Sequence, residues 1–118
     1  MPLLEVWRAG RWRGRLEVPQ GDLRDPEARR RACNDVTHVI TTANAFGGRD
    51  AESVAAVDEQ GNRNLVNAAM AARVRQFVFT SALLSEEYRS IDFFAAKFHI
   101  EDYLRQSGLT WTILRPAA

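Results

Sequence analysis

A single lysine stands in a chain whose other basic residues are all arginine, and its surroundings make it the first candidate for chemistry. Lys97 follows Phe93 by four residues in a segment with helical spacing. Positions four apart share one face of a helix, so the two side chains are expected side by side. A lysine ammonium is a compact donor whose pKa burial can shift, and arginine lacks both properties. Lys97 is therefore a candidate for binding or proton transfer.

Polar groups also follow three short apolar runs that are typical of strands. Thr42–Asn44 follows the first run, Thr80–Ala82 the second and Arg115–Ala117 the third. In open sheets of parallel strands, ligands bind outside the carboxyl ends of the strands. The sequence therefore predicts one crevice at this edge, shared by these three segments and Lys97.

The elements that must position these groups alternate between helix and strand. Asp25, Pro26 and Glu27 have the residue types of a helix N-cap, first position and first turn, and this helix would run to about Cys33. Alternating strands and helices predict βαβ units, a parallel sheet and right-handed crossovers. The predicted strands are Thr37–Ala43, Gln76–Ala82 and Thr110–Leu114, with a possible edge strand at Arg15–Val18, and the other predicted helices are Ala51–Ala72 and Phe93–Gln106.

Composition narrows the class of protein. The chain has 118 residues, 46% of them hydrophobic, and a net charge of +1, which indicates one globular domain without a nucleic-acid or membrane partner. Cys33 is the only cysteine and is expected to be a small buried residue, as in a reducing, cytoplasmic setting. His38 is expected in a strand and His99 on an exposed helix face. Neither has a second ligand at metal-binding spacing, so no metal site is predicted.

Four segments, in order, resemble the short-chain dehydrogenase/reductase superfamily in its atypical, extended branch. The likeness is to NmrA-like NAD(P)-binding proteins and the related nucleoside-diphosphate-sugar epimerases. The segments are G-D-L-R-D-P (Gly21–Pro26), T-T-A-N-A (Thr41–Ala45), V-D-E-Q-G-N-R-N-L-V-N-A-A (Val57–Ala69), and F-V-F-T-S-A (Phe77–Ala82) followed by F-x-x-x-K and S-G-L-T-W-T-I-L-R-P (Ser107–Pro116).

The resemblance implies NAD(P)(H) as cofactor and a small-molecule substrate. It also implies an α/β fold, a partial Rossmann-like, doubly wound parallel sheet, over residues 14–118, with residues 1–13 as an unmatched arm. Asp22 and Leu23 would contact the adenine, and Lys97 would contact the nicotinamide ribose. The implied cofactor-binding residues are Asp22, Leu23, Thr42, Ala43, Asn44, Thr80, Lys97 and Pro116, and the implied catalytic residues are Lys97 and Ser81.

Two departures from the family pattern bear on function. A dinucleotide-binding domain opens with a strand and a glycine-rich loop that lets the backbone approach the pyrophosphate. The residues before Gly21 contain no such loop and are too few for the first βαβ unit. The tyrosine of the family's Y-x-x-x-K motif is Phe93 here, and phenylalanine has no proton to give.

Without that first unit, the strand Thr37–Ala43 would lie at an apolar edge of the sheet, and such edges recruit other chains. Self-association through this edge is therefore expected. Three functions stay open at this point. The chain could be a cofactor-binding member of the family, an NAD(P)H-dependent oxidoreductase or epimerase-like fragment whose missing half is lost or supplied in trans. It could be a non-enzymatic regulatory or interaction module. It could also be a truncated gene remnant without cofactor binding.

Overall fold

The computed structural model of the chain describes residues 19–43, 54–83, 85 and 87–117. The predicted arm 1–13, the possible strand Arg15–Val18 and the loop that holds Asn44 lie outside the described residues.

The first helix begins and ends where the sequence predicts. Helix α1 spans Pro26–Cys33, with proline at its first turn. The Asp25 side chain caps it by accepting a hydrogen bond from the Glu27 backbone N–H at 3.0 Å. After the helix, Asp35 adopts a left-handed backbone with φ of 59° and reverses the chain. Strand β1 (His38–Thr41) follows, shorter than predicted at both ends.

The second predicted helix is in fact two helical segments. A π-helix at Val54–Gly61 leads directly into α2 (Asn62–Ala71). The Asn62 side chain donates to the Asp58 backbone carbonyl at 2.9 Å, and this bond competes with the backbone for that acceptor. At the junction, Gly61 allows a close approach of Leu23, whose Cδ2 lies 3.2 Å from where a β-carbon would be.

The remaining elements complete two crossovers of a parallel sheet. Strand β2 (Gln76–Thr80) is followed by helix α3 (Asp92–Arg105) and strand β3 (Trp111–Leu114). The strand order is β1-β2-β3, and every pairing is parallel. In the register, Ile40 is opposite Val78, and Thr80 is opposite Leu114. These three elements differ from the predicted ones only at their ends.

The two faces of the sheet differ in burial. Phe77 and Phe79 of β2 are at most 1% exposed and pack into one core with the helices. Val78 lies between them and faces the opposite side of the sheet, as do Ile40 and Leu114, which are 70% and 49% exposed. One face therefore holds the core, and the opposite face is open among the described residues. The core cluster is Cys33, Leu65, Val66, Ala69, Val74, Phe77, Phe79, Ile100 and Leu104.

None of the helices in the described ranges is long and apolar enough to cross a membrane.

Candidate functional site

Lys97 is buried at the carboxyl end of the central strand. Its side chain extends from α3 beneath β2, and the residue is 3% exposed. The Nζ atom donates to the Thr80 backbone carbonyl at 3.5 Å, and it lies 5.3 Å from the ring centre of Phe79 and 5.5 Å from that of Phe93. Two aromatic faces stabilise the cation there. Sequence reasoning placed Lys97 beside Phe93 and near Thr80, and the structure brings all three together.

The ammonium keeps hydrogen-bonding capacity in this position. Burial lowers the pKa of Lys97, and the negative charge of Asp58 raises it in part. Asp58 is itself 1% exposed and lies on the π-helix. Of three N–H donors, one makes the long bond to Thr80. Lys97 can therefore still donate to hydroxyl groups of a ligand at this edge of the sheet.

Ser81 lies next to Thr80, but its hydroxyl serves a different partner. The Ser81 Oγ atom donates to the Glu101 carboxylate at 2.5 Å, and Ser85 donates to the same oxygen at 2.9 Å. Arg115 donates to the other carboxylate oxygen at 2.5 Å, and Arg105 donates to it at 3.1 Å. The four donors and the fully buried carboxylate form a cluster, which we call the Glu101 cluster.

The Glu101 cluster keeps a negative charge inside the protein. Burial by itself raises the pKa of Glu101, but hydrogen bonds from Arg115, Ser81 and Ser85 outweigh it, and the net shift is downward. The Ser81 hydroxyl has its one donor engaged by this carboxylate. In this arrangement Ser81 has the geometry of a structural hydroxyl.

Backbone hydrogen bonds align the ends of β2 and β3. The Ser81 N–H donates to the Leu114 carbonyl at 2.7 Å, and the Leu83 N–H donates to the Pro116 carbonyl at 3.4 Å. Thr80, Ser81 and Pro116 were predicted to lie at one edge, and these bonds hold their backbones there.

At the end of β1 the organising side chain is one that the sequence did not single out. Asn62 is fully buried and accepts from the Thr41 hydroxyl at 2.8 Å. Its amide donates to the Ala43 carbonyl at 3.1 Å. The Thr41 hydroxyl in turn accepts from the Ala43 N–H at 3.3 Å. Thr42 is exposed between these anchored neighbours, and its predicted companion Asn44 lies outside the described residues.

Asp22 and Leu23 form a turn on the other side of Gly61. Leu23 packs against Gly61, and the next residue, Asn62, is hydrogen-bonded to Thr41 at the end of β1. The turn is therefore connected to the end of β1 through Gly61 and Asn62. The Asp22 carboxylate is exposed and accepts three hydrogen bonds from the Arg24 guanidinium, at 2.6, 3.0 and 3.2 Å. Hydrogen bonding to the Arg24 side chain lowers the pKa of Asp22 to about 2. The turn borders a surface depression lined also by Gly21, Arg29 and Leu65.

The isolated residues lie as expected. Cys33 is 2% exposed, and burial raises the pKa of its thiol. His38 begins β1, and His99 lies on the exposed side of α3 with Glu59 as partner. No group of three histidine, cysteine or acidic side chains in the described part of the chain is close enough to hold a metal ion.

The chain is similar to a known protein family and to several known proteins. A family model described as NAD(P)H-binding matches residues 8–118. The chain belongs to this family. It is 36% identical over 101 residues to a protein named photosystem II assembly factor Ycf39 from Trieres chinensis, an alignment that covers 86% of this chain and 31% of that protein. It is 29% identical over 96 residues to a protein named uncharacterized sugar epimerase YhfK from Bacillus subtilis, with 77% and 45% covered.

The fold is also found among solved structures. The Bordetella bronchiseptica enzyme WbmG, crystallised with NAD, superposes with a TM-score of 0.74 at 24% identity, over 85% of this chain and 37% of that one. The predicted Rossmann-like α/β fold is thus confirmed. The chain spans about a third of the length of the Ycf39 proteins that it matches.

Proposed function

We propose that this member of the NAD(P)H-binding family itself binds NAD(P)(H), at the carboxyl edge of its three-stranded sheet. The observation that carries the proposal is Lys97, a buried ammonium with spare donors at the end of the central strand. Burying a charge is costly unless it is paired or used, and buried cationic groups in a crevice are typical of functional sites.

The residues present fit part of the cofactor. A ribose offers two hydroxyls as acceptors, and the Lys97 ammonium supplies the matching donors. Thr42 is exposed at the end of the neighbouring strand, and the Asp22–Leu23 turn lies beyond it next to Gly61. We propose that Lys97 holds the nicotinamide ribose and that the turn borders the adenine. The cofactor, when bound, would supply hydride transfer.

The same residues favour binding over acid–base catalysis. Phe93 stands where a tyrosine would donate a proton, and its ring contacts the Lys97 ammonium. The Ser81 hydroxyl is committed to Glu101. General acid catalysis needs a proton donor within hydrogen-bond reach of the reacting group, and neither residue supplies one in this arrangement. We therefore propose a dinucleotide-binding role, with oxidoreductase or epimerase-like chemistry requiring a donor from elsewhere.

Removing the Lys97 ammonium should weaken dinucleotide binding about tenfold or more, because hydrogen bonds from charged donors are the strong ones. Energy transfer from tryptophan to the reduced nicotinamide, in titrations with NADH and NADPH, measures the dissociation constant of Lys97→Ala. Asp22→Ala should have a smaller effect, within about threefold, since Arg24 already neutralises that exposed carboxylate.

Arg75→Ala is the matched control, because it removes one positive charge at the opposite, amino end of β2. It should leave the dissociation constant unchanged, which separates the Lys97 contact from net charge. Circular dichroism confirms that each variant is folded. A folded wild-type chain that binds neither cofactor at millimolar concentration would contradict the proposal.

The exposed strand favours a second candidate function, an interaction module. Strand β1 pairs on only one side among the described residues, and its Ile40 is 70% exposed on the open face of the sheet. Unpaired edges and apolar patches are typical of association sites.

We accordingly propose that the chain self-associates through β1. Sedimentation velocity at micromolar concentration should show a dimer or larger species, and Ile40→Lys should shift it toward monomer by placing a charge on that strand. The control is Met70→Lys, which adds the same charge to an exposed apolar residue on α2. Val78, opposite Ile40 in the sheet, is half-buried and would not be an equivalent site. A wild-type monomer at these concentrations would refute self-association.

A further inference from the structure

The Glu101 cluster and Lys97 belong to one face of helix α3. The two residues are four positions apart, which is about one helical turn, and both are buried. Lys97 reaches the Thr80 carbonyl, and Glu101 reaches the hydroxyl of the next residue, Ser81. The helix therefore holds the end of β2 through two successive side chains.

Glu101 also connects this contact to the third strand. Arg115 directly follows β3 and donates to both carboxylate oxygens through Nε, at 3.1 and 3.3 Å. The backbone bond from Ser81 to Leu114 closes a ring that passes through α3, β2 and β3. The contacts of the Glu101 side chain fix α3 relative to the strand ends. Loss of the carboxylate would free the helix to shift along the sheet at this point.

We propose that Glu101 is a positioning residue: it sets where the Lys97 ammonium lies at the carboxyl end of β2, and thereby how well that ammonium meets the dinucleotide. The second half of this statement rests on the proposed function. The first half concerns the protein alone and can be tested without any ligand.

The position of the Lys97 ammonium can be followed directly by NMR spectroscopy. Lys97 is the only lysine, so lysine labelled with ¹³C at its ε-carbon gives one signal in the whole chain. In the wild type, the faces of Phe79 and Phe93 should shift this signal away from its position in an unfolded chain. Titration of the same signal reports the pKa of Lys97, which burial lowers. A loss of stability that leaves the folded state intact would move neither quantity.

In Glu101→Gln, we expect the labelled signal to move toward its unfolded-chain position, because the ammonium leaves the two rings. The pKa of Lys97 should rise toward its ordinary value as the ammonium becomes more exposed. The dissociation constant for NADH should rise about tenfold, the effect of one weakened hydrogen bond from a charged donor.

Two further variants complete the test. Glu59→Gln makes the same chemical change in a glutamate that also contacts α3, through His99, but at the exposed surface. It should leave the Lys97 signal unchanged. Arg115→Gln removes one donor of the cluster from a side chain that is 41% exposed, and it should shift the signal in the same direction as Glu101→Gln. It provides the measurement if Glu101→Gln does not fold.

The outcomes separate this inference from the proposed function. A folded Glu101→Gln or Arg115→Gln chain with an unmoved Lys97 signal overturns the positioning role, even if NADH binds. A Lys97 signal that moves in both variants, in a chain that binds no dinucleotide, supports the positioning of Lys97 and refutes the proposed function. An equal shift in Glu59→Gln would also overturn the inference, since any lost contact of α3 would then suffice.

Discussion

Replacing Glu101 with alanine is expected to lower the free energy of unfolding by roughly 2–4 kcal/mol, because two buried hydroxyls lose their acceptor and each such loss costs about 1–3 kcal/mol. Glu101 is fully buried, and Ser81, Ser85, Arg105 and Arg115 all donate to it. Its removal takes the acceptor from two buried hydroxyls and one ionic contact from each of two guanidinium groups. Urea unfolding followed by circular dichroism measures the change.

The pH dependence of this loss distinguishes a charge effect from a cavity. The pKa of Glu101 in the folded chain lies below its ordinary value of 4.5. The stabilising contribution of the carboxylate is therefore fully present above pH 4.5 and is lost as the pH falls through the folded-state pKa. The difference in unfolding free energy between wild type and Glu101→Ala should shrink over that range. A difference that stays constant from pH 7 to pH 3 would indicate lost packing alone.

The second large effect is expected at Asn62. Asn62→Ala should lower the free energy of unfolding by roughly 2–4 kcal/mol, because buried polar groups left without partners each cost about 1–3 kcal/mol. The groups that lose a hydrogen bond are the Thr41 hydroxyl and the Ala43 carbonyl, and the Asp58 carbonyl loses one of its contacts. Urea unfolding again gives the value.

Asn67→Ala provides the comparison on the same helix. Asn67 is exposed, and its side chain contacts the Tyr103 hydroxyl at the surface. Its replacement should change the unfolding free energy by about 0.5 kcal/mol or less, as is usual for surface sites. Equal losses in the two variants would show that Asn62 contributes through helix propensity and not through its three buried bonds.

Much of the fold could be predicted because its signals are local. Asp25 and Pro26 have the chemistry of a helix start, and the helix begins there. The apolar, β-branched and aromatic runs predicted all three strands of the sheet, and the errors were confined to the strand ends. The change from π-helix to α-helix at Gly61 was missed, because apolar spacing alone does not distinguish the two over so short a segment.

The polar core of the site could not be predicted in the same way. Lys97 was conspicuous as the only lysine, whereas Glu101 is one of many acidic residues. Its partners Ser81 and Ser85 precede it by 20 and 16 residues, and Arg115 follows it by 14. Contacts between residues this far apart leave no periodic pattern in the sequence. The one available signal was the four-residue step from Phe93 to Lys97 to Glu101, which places a carboxylate on the buried face of a helix.

The order of the strands also governs how the chain reaches this structure. Within the described part of the chain, each strand pairs only with its neighbour in sequence, and each pairing closes a loop of roughly 35 residues. During synthesis, β1 and β2 can pair before β3 has been made, but Arg115 arrives after β3. We therefore expect the Glu101 carboxylate to lose its water only after β3 has docked. Native-state hydrogen exchange should accordingly find the amides of β3 opening at lower free energy than those of β2.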